Sequence, residues 1–288
     1  MIGTVDLTSL SSAFDVELTQ TQDSRDELFA DWCQVSDIVH QLAERYLPAC
    51  GPIIGISGSQ GSGKSTLAMM LSERLQGMPQ VSLDDFYLGH KDRQLLSREV
   101  HTLLATRGVP GTHNHERLES VLAHAKRGEA FELPSFDKGA DDQGLDRSCK
   151  ASAQGLILEG WCLGVEPELE SELEASVNGL ERDEDENGRW RRWVNEQLKT
   201  FYQPIWRQID FWIHLVPPSF DQVVEWRSDA EAKLPAKQQM TAAQITRFIQ
   251  HYERLTLKLW RQKPLGPGLL VVLDEHHAIA EIAAAPFR

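Results

Sequence analysis

The chain has 288 residues, of which 41% are hydrophobic and 25% charged, and 43 acidic against 29 basic residues leave it a formal net charge of −14. Such a balance excludes a general nucleic-acid surface, which needs a basic stripe to displace counterions from phosphates, although an acidic body can still hold a small basic pocket for a small anion. The longest apolar runs fall well short of the ~20 residues of a membrane span and the N-terminus lacks the basic, apolar, small-residue order of a leader, so no membrane partner and a cytoplasmic location are expected.

Residues 1–20 are polar and aperiodic, and a flexible start is expected there. From Glu27 to Tyr46 the apolar positions Trp32, Val35, Ile38, Val39 and Leu42 recur at three- and four-residue spacing, which predicts a helix. A strand over Ile53–Ser57, a glycine-rich loop, a helix over Thr66–Leu75 and a short strand near Gln80–Leu83 make a β-α-β unit, hence a parallel sheet covered by helices. Another helix is predicted over 113–127, and buried strands at Gln154–Glu159, Phe211–Val216 and Leu269–Leu273. The acidic stretch Glu166–Asn187 reads as a solvated helix face or loop. Cys33, Cys50, Cys149 and Cys162 lack C-x-x-C spacing, so neither zinc nor a disulfide framework is expected.

The glycine-rich loop is Gly58-Ser59-Gln60-Gly61-Ser62-Gly63-Lys64-Ser65-Thr66, a complete P-loop. Its glycines let backbone N–H groups point at phosphate oxygens, the following helix aims its positive end at them, Lys64 adds a cation and Ser65 a hydroxyl for Mg²⁺. A nucleoside triphosphate site follows. Asp84 and Asp85 end the next strand, where a carboxylate can take a proton from an attacking hydroxyl or hold metal; strand alternation sends the two to opposite faces, and a cap or turn is the structural alternative. Glu159 ends the apolar run Leu156-Ile157-Leu158, the arrangement by which an acid reaches Mg²⁺ directly or through its water ligands.

Four segments, Ser82-Leu83-Asp84-Asp85-Phe86-Tyr87-Leu88, Arg107-Gly108-Val109-Pro110-Gly111-Thr112-His113, Pro134-Ser135-Phe136-Asp137-Lys138 and Leu158-Glu159-Gly160-Trp161, together with Val224-Glu225-Trp226-Arg227 and Gly268 to Asp274, resemble D-glycerate 3-kinases of the plant and fungal type. That group is similar in turn to the phosphoribulokinase, uridine kinase and pantothenate kinase superfamily. The resemblance spans roughly residues 50 to 280. It implies a P-loop kinase fold, a three-layer α/β/α sandwich with a mostly parallel central sheet, as a single domain over 21–288 with lid or insert segments around 165–200 and 225–245. It further implies ATP and Mg²⁺ as cofactors and a small anionic hydroxylated metabolite as acceptor, D-glycerate first; another acceptor such as a nucleoside or pantothenate, or a non-catalytic ATP-binding regulatory role, are the alternatives.

By position, Asp84 matches the family's catalytic base, Glu159 its metal-associated glutamate, and Arg227 a lid arginine over the phosphates, with a surface ion pair as the other reading of Arg227. Arg107, His113 and Lys138 are candidate holders of the anion, Asp137 of its hydroxyls, and Asp85 and Tyr87 join the acceptor set. A capped turn for 107–113 and a turn role for Asp137 stay open. The helical stretch Gln244–Trp260 and the loop Lys263–Gly268 are placed beside the adenine because they follow the lid.

Overall fold

A computed structural model of the chain describes residues 7–14, 30–152, 154–232, 239–262 and 264–285. Helices α1 (Leu7–Phe14) and α2 (Ala30–Tyr46) precede strand β1 (Ile53–Gly58), helix α3 (Lys64–Arg74) and strand β2 (Gln80–Ser82). Helices α4 (His90–Glu99) and α5 (His115–Lys126) lead to the short strands β3 (Phe131–Leu133), β4 (Phe136–Asp137), β5 (Asp142–Gln143) and β6 (Arg147–Cys149), and then to β7 (Leu156–Gly160). Helices α6 (Gly179–Glu184), α7 (Arg189–Gln197) and α8 (Gln203–Trp206), strand β8 (Phe211–Val216), helices α9 (Phe220–Ala232) and α10 (Ala242–Arg261), and strands β9 (Gly268–Leu273) and β10 (Ile279–Ala285) follow.

The main sheet runs in the order β10-β9-β8-β1-β7-β2, parallel except for the antiparallel β9–β10 pair. Strands β1 and β7 are buried at every position, which is why their sequences are apolar runs and not alternating ones. Alternation still divides their side chains between two cores. Ile54, Ile56, Ile157, Phe211 and Ile213 pack with Val35 and Leu42 of α2 and Leu67 and Leu71 of α3. Ile53, Leu156, Leu158 and Trp212 pack with Leu118 and Leu122 of α5, Trp206 of α8 and Leu255 of α10. The architecture is a three-layer α/β/α sandwich, as expected, and its sheet delivers the ends of β1, β7 and β2 to one edge. Among the described residues no helix is long and apolar enough to cross a membrane.

Two expectations are revised. Within the start read as flexible, residues 7–14 form α1, which packs on β10 and seats Leu10 in the core at 1% exposure; Leu7, Leu10 and Phe14 do stand at helical spacing, but among serines. The rest of residues 1–20 lies outside the described residues. The acidic stretch is not all solvated. Glu181 is fully buried, held by Arg254 of α10 at 2.7 and 2.6 Å. Asp185 is buried as well, accepting from the backbone N–H groups of Trp190 and Arg191 and pairing with the Arg191 side chain at 3.0 Å. Each acid enters the interior because an arginine goes in with it.

Candidate active site

The P-loop joins β1 to α3. Gly63 caps the helix at φ 88°, a left-handed conformation that a side chain would oppose, and so lets Lys64 begin the helix directly after the loop. Ser62 returns its N–H and its hydroxyl to the Ser59 carbonyl, and Lys64 Nζ reaches across the loop to donate to the same oxygen at 2.8 Å. Ser59 Oγ is buried without a hydrogen-bond partner, a donor left over inside the loop. Burial pushes the Lys64 ammonium below its ordinary value, and the nearby Glu159 and Asp84 carboxylates partly offset it.

Register places the acids. Glu159 of β7 lies opposite Ile56 of β1 on one side and Ser82 of β2 on the other, so it leaves the sheet beside the loop. There its Oε1 accepts from Ser65 Oγ at 2.8 Å.

Past Ser82 the chain does not continue as a strand; residues Leu83–Phe86 form a single 3₁₀ turn closed by a capping box. Ser82 Oγ accepts from the Asp84 N–H, and Asp85 Oδ2 accepts from the Ser82 N–H at 3.1 Å. Asp85 is thereby turned back onto the backbone and stands outside the wall of the cavity, while Asp84 faces in. Asp84 accepts from Tyr87 Oη at 2.9 Å and from Lys138 Nζ at 2.8 Å. Burial alone would raise its carboxyl, but the Lys138 ammonium and the Tyr87 hydroxyl outweigh it and hold Asp84 below the ordinary carboxylate value.

One cavity of about 270 Å³ gathers the P-loop residues Gln60, Gly61, Lys64 and Ser65 with Asp84, Tyr87, Arg107, Lys138, Glu159 and Arg227. Arg107 forms an ion pair with Asp141 and lies over the Phe136 ring. Arg227 donates to Glu231 at 2.6 Å and lies 5.3 Å over the ring of Phe248, while its Nε is buried and unpartnered.

His113 and Asp137 stand elsewhere. His113 is 2% exposed, stacked on Tyr87 and hydrogen-bonded through Nδ1 to Tyr202 Oη at 2.8 Å; burial drives its pKa to about 3, so it is neutral and no partner for an anion by charge. Asp137 Oδ1 accepts from the N–H groups of Gly139 and Ala140, which gives it the turn role. Both lie outside the cavity wall.

Known proteins resemble the chain in sequence and in fold. No family model matches the chain. The kinase mug58 of Schizosaccharomyces pombe is 34% identical over 243 residues, covering 76% of this chain and 84% of that protein. The chloroplastic D-glycerate 3-kinase of Arabidopsis thaliana is 26% identical over 269 residues, covering 84% of this chain and 57% of that protein. The solved structure of D-glycerate 3-kinase from Cryptococcus neoformans superposes with a TM-score of 0.72 at 26% identity, covering 88% of this chain and 98% of that one. The chain belongs to the P-loop kinase family of mug58.

In this kinase the cavity also has a wall that motif reading missed. Trp161, Phe248 and Tyr252 line it, so α10 faces the cavity of Asp84, where the sequence had set it beside the adenine. Trp260 and Pro264 line a separate small cavity against β8 and β9, and Lys263 lies outside the described residues. Phe248 and Tyr252 are four residues apart, one helix face, a pairing that could have pointed to a shared wall. Tyr252 also fixes the approach of Arg107: its hydroxyl donates to the Arg107 carbonyl at 3.1 Å, and an added Cβ on Gly108 would collide with that hydroxyl.

Proposed function

We propose that this kinase transfers the γ-phosphate of ATP to a hydroxyl of D-glycerate, forming 3-phosphoglycerate and ADP. The observation that carries the reading is a single cavity in which the P-loop lysine, an inward-facing carboxylate and the cations Arg107 and Lys138 meet. A phosphate donor, a hydroxyl to deprotonate and an acceptor anion each find a partner of the right charge there. The 26% identity with a plant D-glycerate 3-kinase over 84% of the chain supports the choice of acceptor.

In this mechanism the acceptor's hydroxyl oxygen bonds to the γ-phosphorus as its proton passes to Asp84. The bond from that phosphorus to the β–γ bridging oxygen breaks, and its electron pair leaves on ADP. Lys64 and the loop N–H groups hold the phosphates, with Ser59 Oγ as a further donor. Arg227 offers its unpartnered Nε to charge that develops during transfer. Ser65 and Glu159 would hold a Mg²⁺ ion, since their oxygens are already together at 2.8 Å. Bound there, Mg²⁺ would supply charge neutralisation to the phosphates.

The test is ADP release from Mg-ATP with D-glycerate, L-glycerate, pantothenate, uridine or ribulose 5-phosphate. Turnover stimulated by D-glycerate alone supports the assignment. Stimulation by a different acceptor, or by none while nucleotide binds, refutes it.

A further inference from the structure

The cations of the cavity differ in what neutralises them. Arg107 is paired with Asp141 and Arg227 with Glu231, both outside the reacting groups. Lys138 alone among these three is paired with Asp84. It reaches Asp84 from the turn between β4 and β5, with its side chain 62% exposed, as a long arm laid over the cavity. The turn itself is anchored independently: Arg93 donates to the Asp141 carbonyl at 2.8 Å, Asp142 accepts from the His90 N–H, and Phe136 packs edge-on against Tyr87. Lys138 can therefore change partners by side-chain rotation while the hairpin stays in place.

We propose that Lys138 is the residue that reads the acceptor's carboxylate, and that it does so by exchanging its ion pair with Asp84 for one with that carboxylate. The inference rests on the acceptor reading above. In the resting protein Lys138 occupies Asp84 Oδ2 and Tyr87 occupies Oδ1, so the carboxylate is a masked and weakened base. An acceptor carrying a carboxylate draws Lys138 away and leaves its own negative charge nearby, and both changes strengthen Asp84 as a base. An acceptor of similar size without a carboxylate, such as glycerol, leaves Lys138 in place. Discrimination then enters the chemical step and not binding alone.

The other titratable groups that bear on Asp84 do not confuse the readout. His113 is held neutral down to about pH 3, and burial pushes the Tyr87 and Tyr252 phenols and the Cys162 thiol upward. Lys64 and Asp85 are common to all variants below.

The experiment measures kcat and KM for D-glycerate and for glycerol across pH, in wild type, Lys138→Met and Lys138→Arg. These changes fall on an exposed side chain, so folding is not at stake. In Lys138→Met, kcat/KM for D-glycerate is expected to fall about tenfold or more, the worth of one lost charged hydrogen bond. For glycerol it is unchanged or higher, the acid limb of kcat/KM moves to higher pH, and Lys138→Arg restores part of the preference. Equal losses for both acceptors with an unmoved acid limb, or a Lys138→Met variant that matches wild type, overturn the inference while D-glycerate turnover in wild type leaves the acceptor assignment standing. Absence of D-glycerate turnover in wild type overturns both.

Discussion

Ser65 and Glu159 lie 94 residues apart in the chain and share a hydrogen bond of 2.8 Å at the mouth of the P-loop. Glu159 stands on β7, in parallel register with β1, and Ser65 stands in the first turn of α3, directly after the loop that leaves β1, so the contact belongs to the fold. Glu159→Gln keeps the shape and removes the charge a divalent ion would use. The Mg²⁺ concentration for half-maximal activity is expected to rise about 10- to 100-fold, and chelation of Mg²⁺ should silence the wild-type kinase until the ion is returned. A Mg²⁺ titration of the variant that overlays wild type contradicts the metal role.

Gly108 sits at φ 143° under the Tyr252 hydroxyl, next to Arg107. Gly108→Ala forces Tyr252 and the Arg107 backbone apart. The expected result is a raised acceptor KM with the KM for ATP unchanged, plus about 1–3 kcal/mol of lost stability from backbone strain. Steady-state kinetics with each substrate varied in turn, and a urea titration, check the two parts.

Arg254 and Glu181 form a buried pair, with side chains 7% and 1% exposed, that ties the acidic stretch to α10. Arg254→Met leaves Glu181 charged in the interior with only the Val177 N–H beside it and takes the ion partner from Glu168, at an expected cost of about 3–5 kcal/mol. Glu181→Leu combined with Arg254→Met should recover much of that loss. Denaturant midpoints of the single and double variants decide it; a double variant no better than Arg254→Met means that the pair does not act as a unit.

Much of this site could be read in the sequence because its signals are local. The P-loop announces itself within nine residues, flanked by an apolar run and a helical pattern, and Glu159 ends a run apolar enough to be buried on both faces. The turn at Leu83–Phe86 was also written locally, as Ser82 followed three residues later by Asp85, the capping-box spacing, but strand alternation suggested a different geometry for the same acids. Burial of Glu181 was not legible. Its neighbours Arg182, Asp183 and Glu184 describe a solvated run, and the arginine that takes it inside stands 73 residues later. His113 misled for a similar reason: the ring of Tyr87 and the hydroxyl of Tyr202 that bury it come from distant segments.

Acid should weaken the fold before its carboxylates titrate. His113, His214 and His251 are buried, with pKa values lowered by burial to about 3, about 4 and about 4. Below the unfolded value of 6.5 the unfolded chain takes up protons that these rings refuse, so stability falls as pH drops from 6.5 toward 4. Each histidine costs about 1.4 kcal/mol per pH unit in the fully developed part of that window. Asp84, held below its ordinary value of 3.8, adds its own loss only as pH falls through that value and below it. Urea midpoints between pH 7.5 and about 5 should therefore decline, and His214→Phe, which replaces a ring whose Nε2 has no partner, should flatten the decline. An equal slope in the variant removes His214 from the account.

The central claim is that Asp84 takes the acceptor's proton while the P-loop holds ATP. Single-turnover transfer from Mg-ATP to D-glycerate, measured beside ATP affinity in wild type and Asp84→Asn, tests it most directly. The account predicts nucleotide binding within a few-fold of wild type and a transfer rate about 10²- to 10⁴-fold lower. Transfer at the wild-type rate in Asp84→Asn would contradict it.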